Sequence, residues 1–157
     1  IEAALASRNT IVVCSIDAGS PEVYAAKKKA DVLGKVLENN KRYAKAARTG
    51  RIFFKYIMDV DNCAPEEVLR FVEHTYHAGV KSVVQDVNSY NDFVTDEMIE
   101  SMALMSRELA KLGIASFIGG CGVYGYPELA IHTRLQDALE ASGTMTAEEV
   151  RRRVYGA

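Results

Sequence analysis

Four short runs of apolar, largely β-branched residues punctuate the chain: Ile11–Ile16, Ile52–Met58, Val80–Val87 and Ile114–Ile118. Each is bounded by turn-forming or polar residues and has the length of a strand, so each is read as one. The stretches between them carry helix punctuation instead. Ser20-Pro21-Glu22 offers an N-cap, a first-turn proline and an acid at the positive end of a helix dipole. Pro65-Glu66-Glu67 opens a second helix, with Val68, Leu69, Val72 and Tyr76 on one face and Gly79 as its C′ residue. Thr95-Asp96-Glu97 opens a third, in which Met98, Met102, Met105, Leu109 and Leu112 step by four and three before Gly113. Pro127 begins a fourth, and Thr146 with Glu149 makes a capping box for a short fifth.

Alternation of strand and helix in units of ~30 residues means βαβ crossovers, hence a mainly parallel sheet with right-handed connections. The fold class is therefore α/β, in one domain over residues 1–157, since no low-complexity linker divides it. Glu2 to Ala6 read as the tail of an earlier helix. With a first residue of Ile1 and only four strands, the expectation is a part of a larger whole.

Side chains alternate along a strand. Val12, Cys14 and Ile16 share one face of the first strand, and Val13, Ser15 and Asp17 the other. Lys55 interrupts the apolar second strand, Asp59 and Asp61 follow it, and Gln85, Asp86 and Asn88 gather at the end of the third. Strands covered on both faces normally read as unbroken apolar runs. Polar groups collecting at the carboxyl ends of neighbouring strands mark a wet or ligand-filled crevice, the usual ligand position in α/β folds. An unpaired Lys55 would be costly to bury, so it should meet a carboxylate or an anionic ligand.

Composition narrows the class. The 157 residues are 48% hydrophobic with a formal charge of −2, which excludes disorder and gives no electrostatic reason to expect nucleic acid. No apolar run reaches the ~18 residues of a membrane span. Cys14, Cys63 and Cys121 are too few and too scattered for a disulfide framework, which points to a reducing cytoplasm. Charge is uneven: from Lys27 to Arg51 nine Lys and Arg face only Asp31 and Glu38, a local +7 that leaves −9 for the rest. The plain reading is one long solvated helix. His74 and His77, three apart with no third ligand near in sequence, are expected to be a solvent-exposed pair, and His132 has no recognisable partner. Met98, Met102 and Met105 are read as core filling.

The segment Cys14-Ser15-Ile16-Asp17-Ala18-Gly19-Ser20-Pro21-Glu22-Val23-Tyr24 resembles the fourth-strand region of radical S-adenosylmethionine (SAM) enzymes, "S-hydrophobic-D-A-G-[ST]-P-E-x-Y". The likeness runs on through Asp31, Val32, Lys35, Val36, Leu37, Glu38 and Asn39, and through Phe54-Lys55-Tyr56-Ile57-Met58 as a fifth strand and Val80–Asp86 as a sixth. It covers roughly residues 1 to 90. The resemblance implies the second half of a (βα)6 partial barrel whose intact parent splits SAM at a [4Fe-4S] cluster to make a 5′-deoxyadenosyl radical. The cluster motif CxxxCxxC is absent here, and the spacing of the three cysteines does not replace it. The chain alone is then expected to be inactive, with the missing N-terminal half of the barrel as its partner and a small molecule or peptide as substrate.

By the same resemblance Ser15 would bond the amino or carboxylate group of SAM, and Asp17 would line the lumen near ribose or substrate. Lys28 falls where the family has a basic residue for the SAM carboxylate, but Lys27-Lys28-Lys29 blurs which lysine turns inward. Lys55 is a second candidate for that contact, and Gln85 and Asp86 would face adenine or substrate. Two other readings stand beside this one. Gly119-Gly120-Cys121-Gly122 could present backbone N–H groups to a phosphorylated ligand, with Cys121 as a less favoured reactive thiol. Alternatively the chain is a non-catalytic assembly domain, a homo-oligomer joined through an open sheet edge.

Overall fold

The computed structural model describes residues 1–5, 10–47, 51–87, 94–118 and 128–141. Within them a short helix α1 (Glu2–Leu5) precedes strand β1 (Val12–Ser15). Helices α2 (Pro21–Lys28) and α3 (Leu33–Ala46) lead to β2 (Ile52–Met58). Helix α4 (Pro65–Ala78) leads to β3 (Ser82–Val87), and α5 (Asp96–Lys111) to β4 (Ala115–Ile118). Helix α6 (Glu128–Ala141) closes the described order. The four strands form one all-parallel sheet in the order β1-β2-β3-β4. No described helix is long and apolar enough to cross a membrane.

This strand order decides the architecture. Successive right-handed crossovers that always step in the same direction lay every connecting helix on the same side of the sheet. The register bears this out, for Cys14, Phe54, Val83 and Ser116 form one row across the four strands. Asn40 of α3 donates to Cys14 Sγ, Phe71 of α4 packs on Phe54 and Tyr56, and Ser106 of α5 bonds Gln85, whose row is that of Tyr56. The other row, Ser15, Lys55, Val84 and Phe117, lies on the face opposite these helices. Along β2 burial alternates accordingly, Ile52, Phe54, Tyr56 and Met58 buried and the residues between them half-exposed.

The core is the helix–sheet interface: Phe54, Tyr56, Phe71, Val68 and Val83 with Met98, Met102, Met105 and Leu109 of α5. Burying a side chain of this size contributes roughly 1.5–3 kcal/mol. The methionines are core residues, as the periodicity predicts. Leu112 is not, because α5 ends at Lys111 and Leu112 is 38% exposed at its C-cap.

Two helix readings need correction. The buried face of α4 is Glu67, Val68, Phe71, Val72, Thr75 and Ala78, whereas Leu69 and Tyr76 are exposed. Phe71, edge-on to Tyr56, centres that face and turns Leu69 and Tyr76 outward. The basic stretch is also two helices rather than one, since Lys29 takes a left-handed backbone (φ 56°, ψ 30°) that ends α2. The expected helix start at Pro127, the capping box at Thr146 and Glu149, and Asn88 lie outside the described residues.

Candidate functional site

The carboxyl ends of β1 and β2 meet in a polar junction built on the turn after β1. Ile16, Asp17, Ala18, Gly19 and Ser20 are all buried there. Asp17 adopts a left-handed backbone (φ 55°), which aspartate tolerates better than most residues. The strand alternation that would place it beside Ser15 therefore stops at Ser15. Its carboxylate accepts from the Ile57 N–H (2.7 Å) and from Lys28 Nζ, and its carbonyl accepts from Asn62 Nδ2 (2.9 Å). Asp17 is only 4% exposed and holds β1 to β2.

Asn62, fully buried, completes the junction. Its Nδ2 also donates to the Ile57 carbonyl (2.9 Å), and its Oδ1 accepts from the Asp59 N–H (2.7 Å). Its own carbonyl accepts from the Tyr56 hydroxyl (2.7 Å). Burial, reinforced by the charge of Glu67, pushes the Tyr56 phenol well above its ordinary range, so Tyr56 stays a donor. No motif announces Asn62 in the sequence; a polar residue four past a strand end is an ordinary turn residue until its partners are known.

The lysine ambiguity is resolved by α2. Lys28 pairs with Asp17, Lys27 lies 3.5 Å from Asp59, and Lys29 is exposed. Both inward lysines are thus engaged by carboxylates of the protein.

Glu67 anchors the same turn from the first turn of α4. Its Oε2 accepts from the consecutive N–H groups of Gly19 and Ser20, both at 2.9 Å, while Ser20 Oγ caps α2 by accepting from Val23 N–H. The approach is close enough to require glycine, since a Cβ at position 19 would stand 2.0 Å from the Glu67 carbonyl oxygen. His74, two turns further along α4, bonds the Gly19 carbonyl through Nε2 at 2.9 Å. This corrects the expected exposed histidine pair: His77 is exposed beside Glu73, but His74 is half-buried in the junction.

The sheet face that no described helix covers is different in kind. Ser15 is exposed there and stands next to Lys55 in register. Lys55 Nζ lies 2.9 Å from Asp86 Oδ2, and both are partly open to solvent (28% and 14%). The expected carboxylate partner of Lys55 is therefore present. Around this polar group the face is apolar: Val13 is 54% exposed, and Phe53 and Phe117 lean together over β3 with centroids 6.3 Å apart.

Of the six residues predicted for the site, Ser15, Lys55 and Asp86 come together on the uncovered face, and Asp17 and Lys28 pair with each other in the junction. Gln85 goes elsewhere. It lies in the row of Tyr56, on the helix side, fully buried, and its Nε2 reaches Ser106 Oγ (2.7 Å) and Ser116 Oγ (2.6 Å). Adjacent residues of a strand face opposite ways, so Asp86 and Gln85 could not share a crevice.

Cys14 is half-buried against Asn40, and burial raises its thiol, as it does that of Cys63. Neither thiol therefore has the lowered value of an activated nucleophile. Among the described residues no group of three His, Cys, Asp or Glu is placed to hold a metal ion. The Gly119–Gly122 loop with Cys121 lies outside the described residues, as does the His132 side chain. Set against family models, curated proteins and solved structures, the chain matches none of them.

Proposed function

We propose that the chain supplies SAM- and substrate-binding strands to a radical SAM enzyme, with the uncovered sheet face as one wall of a partial-barrel lumen. One observation carries the reading. Among the described residues no helix covers one face of this singly wound parallel sheet, and near the carboxyl ends of its strands that face bears a hydroxyl, an ammonium and a carboxylate: Ser15, Lys55 and Asp86. The methionine end of SAM is a zwitterion. Lys55 complements its carboxylate, Asp86 its ammonium group, and Ser15 either one. Phe53, Phe117 and Val13 offer apolar surface to the rest of a ligand. The meeting of Phe53 and Phe117 across an intervening strand fits a sheet curved towards this face, since flat neighbours lie ~4.8 Å apart and alternate strands twice that.

Asp17 and Lys28 act here at one remove, by holding the ends of β1 and β2 in place. SAM bound at an iron–sulfur cluster supplies a 5′-deoxyadenosyl radical for hydrogen abstraction. The described cysteines do not fit that cluster, because Cys14 lies on the helix side against Asn40 and among the described residues no group of three His, Cys, Asp or Glu is placed to hold a metal ion. No step through the cluster is assigned to these residues.

Two measurements test the reading. The reading frame upstream of Ile1 is expected to encode CxxxCxxC; a start codon immediately before Ile1 with no such motif would overturn it. In the product of the whole reading frame, Lys55→Met should weaken SAM binding by tenfold or more in calorimetry. Unchanged affinity would remove Lys55, and with it the zwitterion site.

A further inference from the structure

Helix α2 is anchored at its middle and not at its end. Tyr24 is buried, and so is Leu33 at the start of α3, but none of the eight residues between them is. Residues 25–32 make up the last turn of α2 and the joint to α3. Ala25 and Ala26 have only methyl groups to pack, and Lys29, Asp31 and Val32 are exposed. The joint is also poorly secured by its own backbone. Lys29 holds a left-handed conformation (φ 56°) that disfavours a residue with a Cβ, and α3 begins after Val32 without a side-chain cap.

Charge is what ties this stretch to the sheet. Lys28 Nζ bonds Asp17, two residues beyond β1, and Lys27 Nζ lies 3.5 Å from Asp59, the residue after β2. The two lysine side chains are 30% and 19% exposed, so both pairs are partly solvated. Pairs of this kind are weak, and salt weakens them further. The junction beneath keeps its other bonds without them. The Ile57 N–H still holds Asp17, Glu67 still holds Gly19 and Ser20, and Asn62 still holds the Asp17 carbonyl. Segments with few buried apolar side chains open locally without global unfolding. By contrast α4 and α5 bury long faces centred on Phe71 and Met102.

We propose that residues 25–32 form a strap that opens between Tyr24 and Leu33 while the rest of the chain stays folded, latched by Lys28–Asp17 and Lys27–Asp59. Asp17 and Asp59 are buried when the strap is closed. Opening uncovers them and with them the carboxyl ends of β1 and β2, the usual place of a ligand beside a parallel α/β sheet. The left-handed constraint on Lys29 is released in the same movement. The strap is therefore a gate to the strand ends, and it depends on the junction alone, whatever the opposite sheet face binds.

Amide hydrogen exchange of the 157-residue chain, followed by NMR, tests the strap against α4. Protection factors at Lys27 and Lys28 should lie roughly tenfold or more below that of Phe71. They should fall by about threefold more as salt rises from about 50 mM to 0.5 M, with Phe71 unchanged. Lys27→Met should lower them by about fivefold. Lys29→Met, exposed and outside the latch, should leave them as they are, and far-ultraviolet circular dichroism should match the parent for both variants. Labelling of Asp17 by a water-soluble carbodiimide and an amine, referred to the exposed Asp61, should rise in Lys27→Met together with exchange. Should Lys27→Met unfold the chain, the salt series on the parent decides. Protection equal to that of Phe71 would overturn the proposal, as would exchange indifferent to salt and to Lys27→Met, which is the fraying of an ordinary helix end. Strap amides that exchange while Asp17 stays unlabelled would overturn the gate. SAM binding is measured separately, so a rigid strap leaves the Lys55 site standing and loss of SAM binding leaves the strap.

Discussion

The junction behind β1 and β2 and the bare face in front of them draw on the same kinds of residue and use them in opposite ways. In the junction, Asp17, Asn62, Glu67 and His74 spend their polar atoms on backbone groups of the protein, and Lys27 and Lys28 are drawn onto Asp59 and Asp17. On the bare face, Lys55 and Asp86 meet only partway out of water, and Ser15 is exposed beside them. A charged residue near the carboxyl end of a parallel strand is thus no sign of a ligand by itself. The difference is one of degree, since Asp86 Oδ1 also accepts from the neighbouring Val87 N–H, yet its carboxylate stays more open to solvent (14%) than that of Asp17 (6%).

That contrast can be broken by substitution, and the junction should respond most. Gly19→Ala drives a methyl group into the Glu67 carbonyl, with Arg70 Cβ 2.9 Å away, and both neighbours belong to α4. A loss of roughly 3 kcal/mol or more is expected in urea unfolding, at the upper end for overpacking a filled site. Asn62→Ala orphans the buried Asp59 N–H and weakens the tie between Asp17 and Ile57, for about 2 kcal/mol by the same measurement. A loss below half that value would mean that the junction is solvated and that the contrast with the bare face is false.

Alkaline titration probes the same buried side. Burial raises the Cys14 thiol above its ordinary 9.0 and the Tyr56 phenol above 10.0. A group whose folded value is raised keeps its full contribution below the unfolded value and loses it as pH rises through the folded one. The urea midpoint should therefore hold level from pH 7 to about 8 and decline steadily above the ordinary thiol range. Cys14→Ala should flatten the first part of that decline; an unchanged curve would show that Cys14 is not shielded by α3.

The bare face should respond least in stability and most in binding. Lys55→Met breaks an ion pair that is partly solvated, and a change below about 1 kcal/mol is expected. Ser15→Ala should fall within ~0.5 kcal/mol, as at other exposed positions. A large loss for either would place these residues among the structural ones.

Much of the fold was legible from local chemistry. Four apolar runs, Pro21 and Pro65 as first-turn residues, Thr95 as an N-cap and Gly79 as a left-handed C-cap fall where the structure has the corresponding strands and helix ends. The parallel arrangement followed from their alternation. The site was legible only by halves. Lys55 and its need for a carboxylate could be seen, because a lysine amid Phe53, Phe54, Tyr56 and Ile57 is costly without one. Gln85 was misplaced because a cluster of polar residues in sequence was taken as a cluster in space, although alternation sends neighbours to opposite faces.

What the chain's own order determines is local: which segments extend, which coil, and which positions must be glycine or proline, since these depend on backbone sterics and on neighbours a few residues away. Tertiary structure alone decided the rest. That Glu67 would reach back 48 residues to Gly19, that Asn62 would bridge Asp17 and Ile57, and that Lys28 rather than Lys29 would turn inward depend on where separate elements come to rest. Hydrogen bonds act over about 3 Å, so their partners exist only once packing of Phe71, Phe54 and Tyr56 has brought distant segments within that reach.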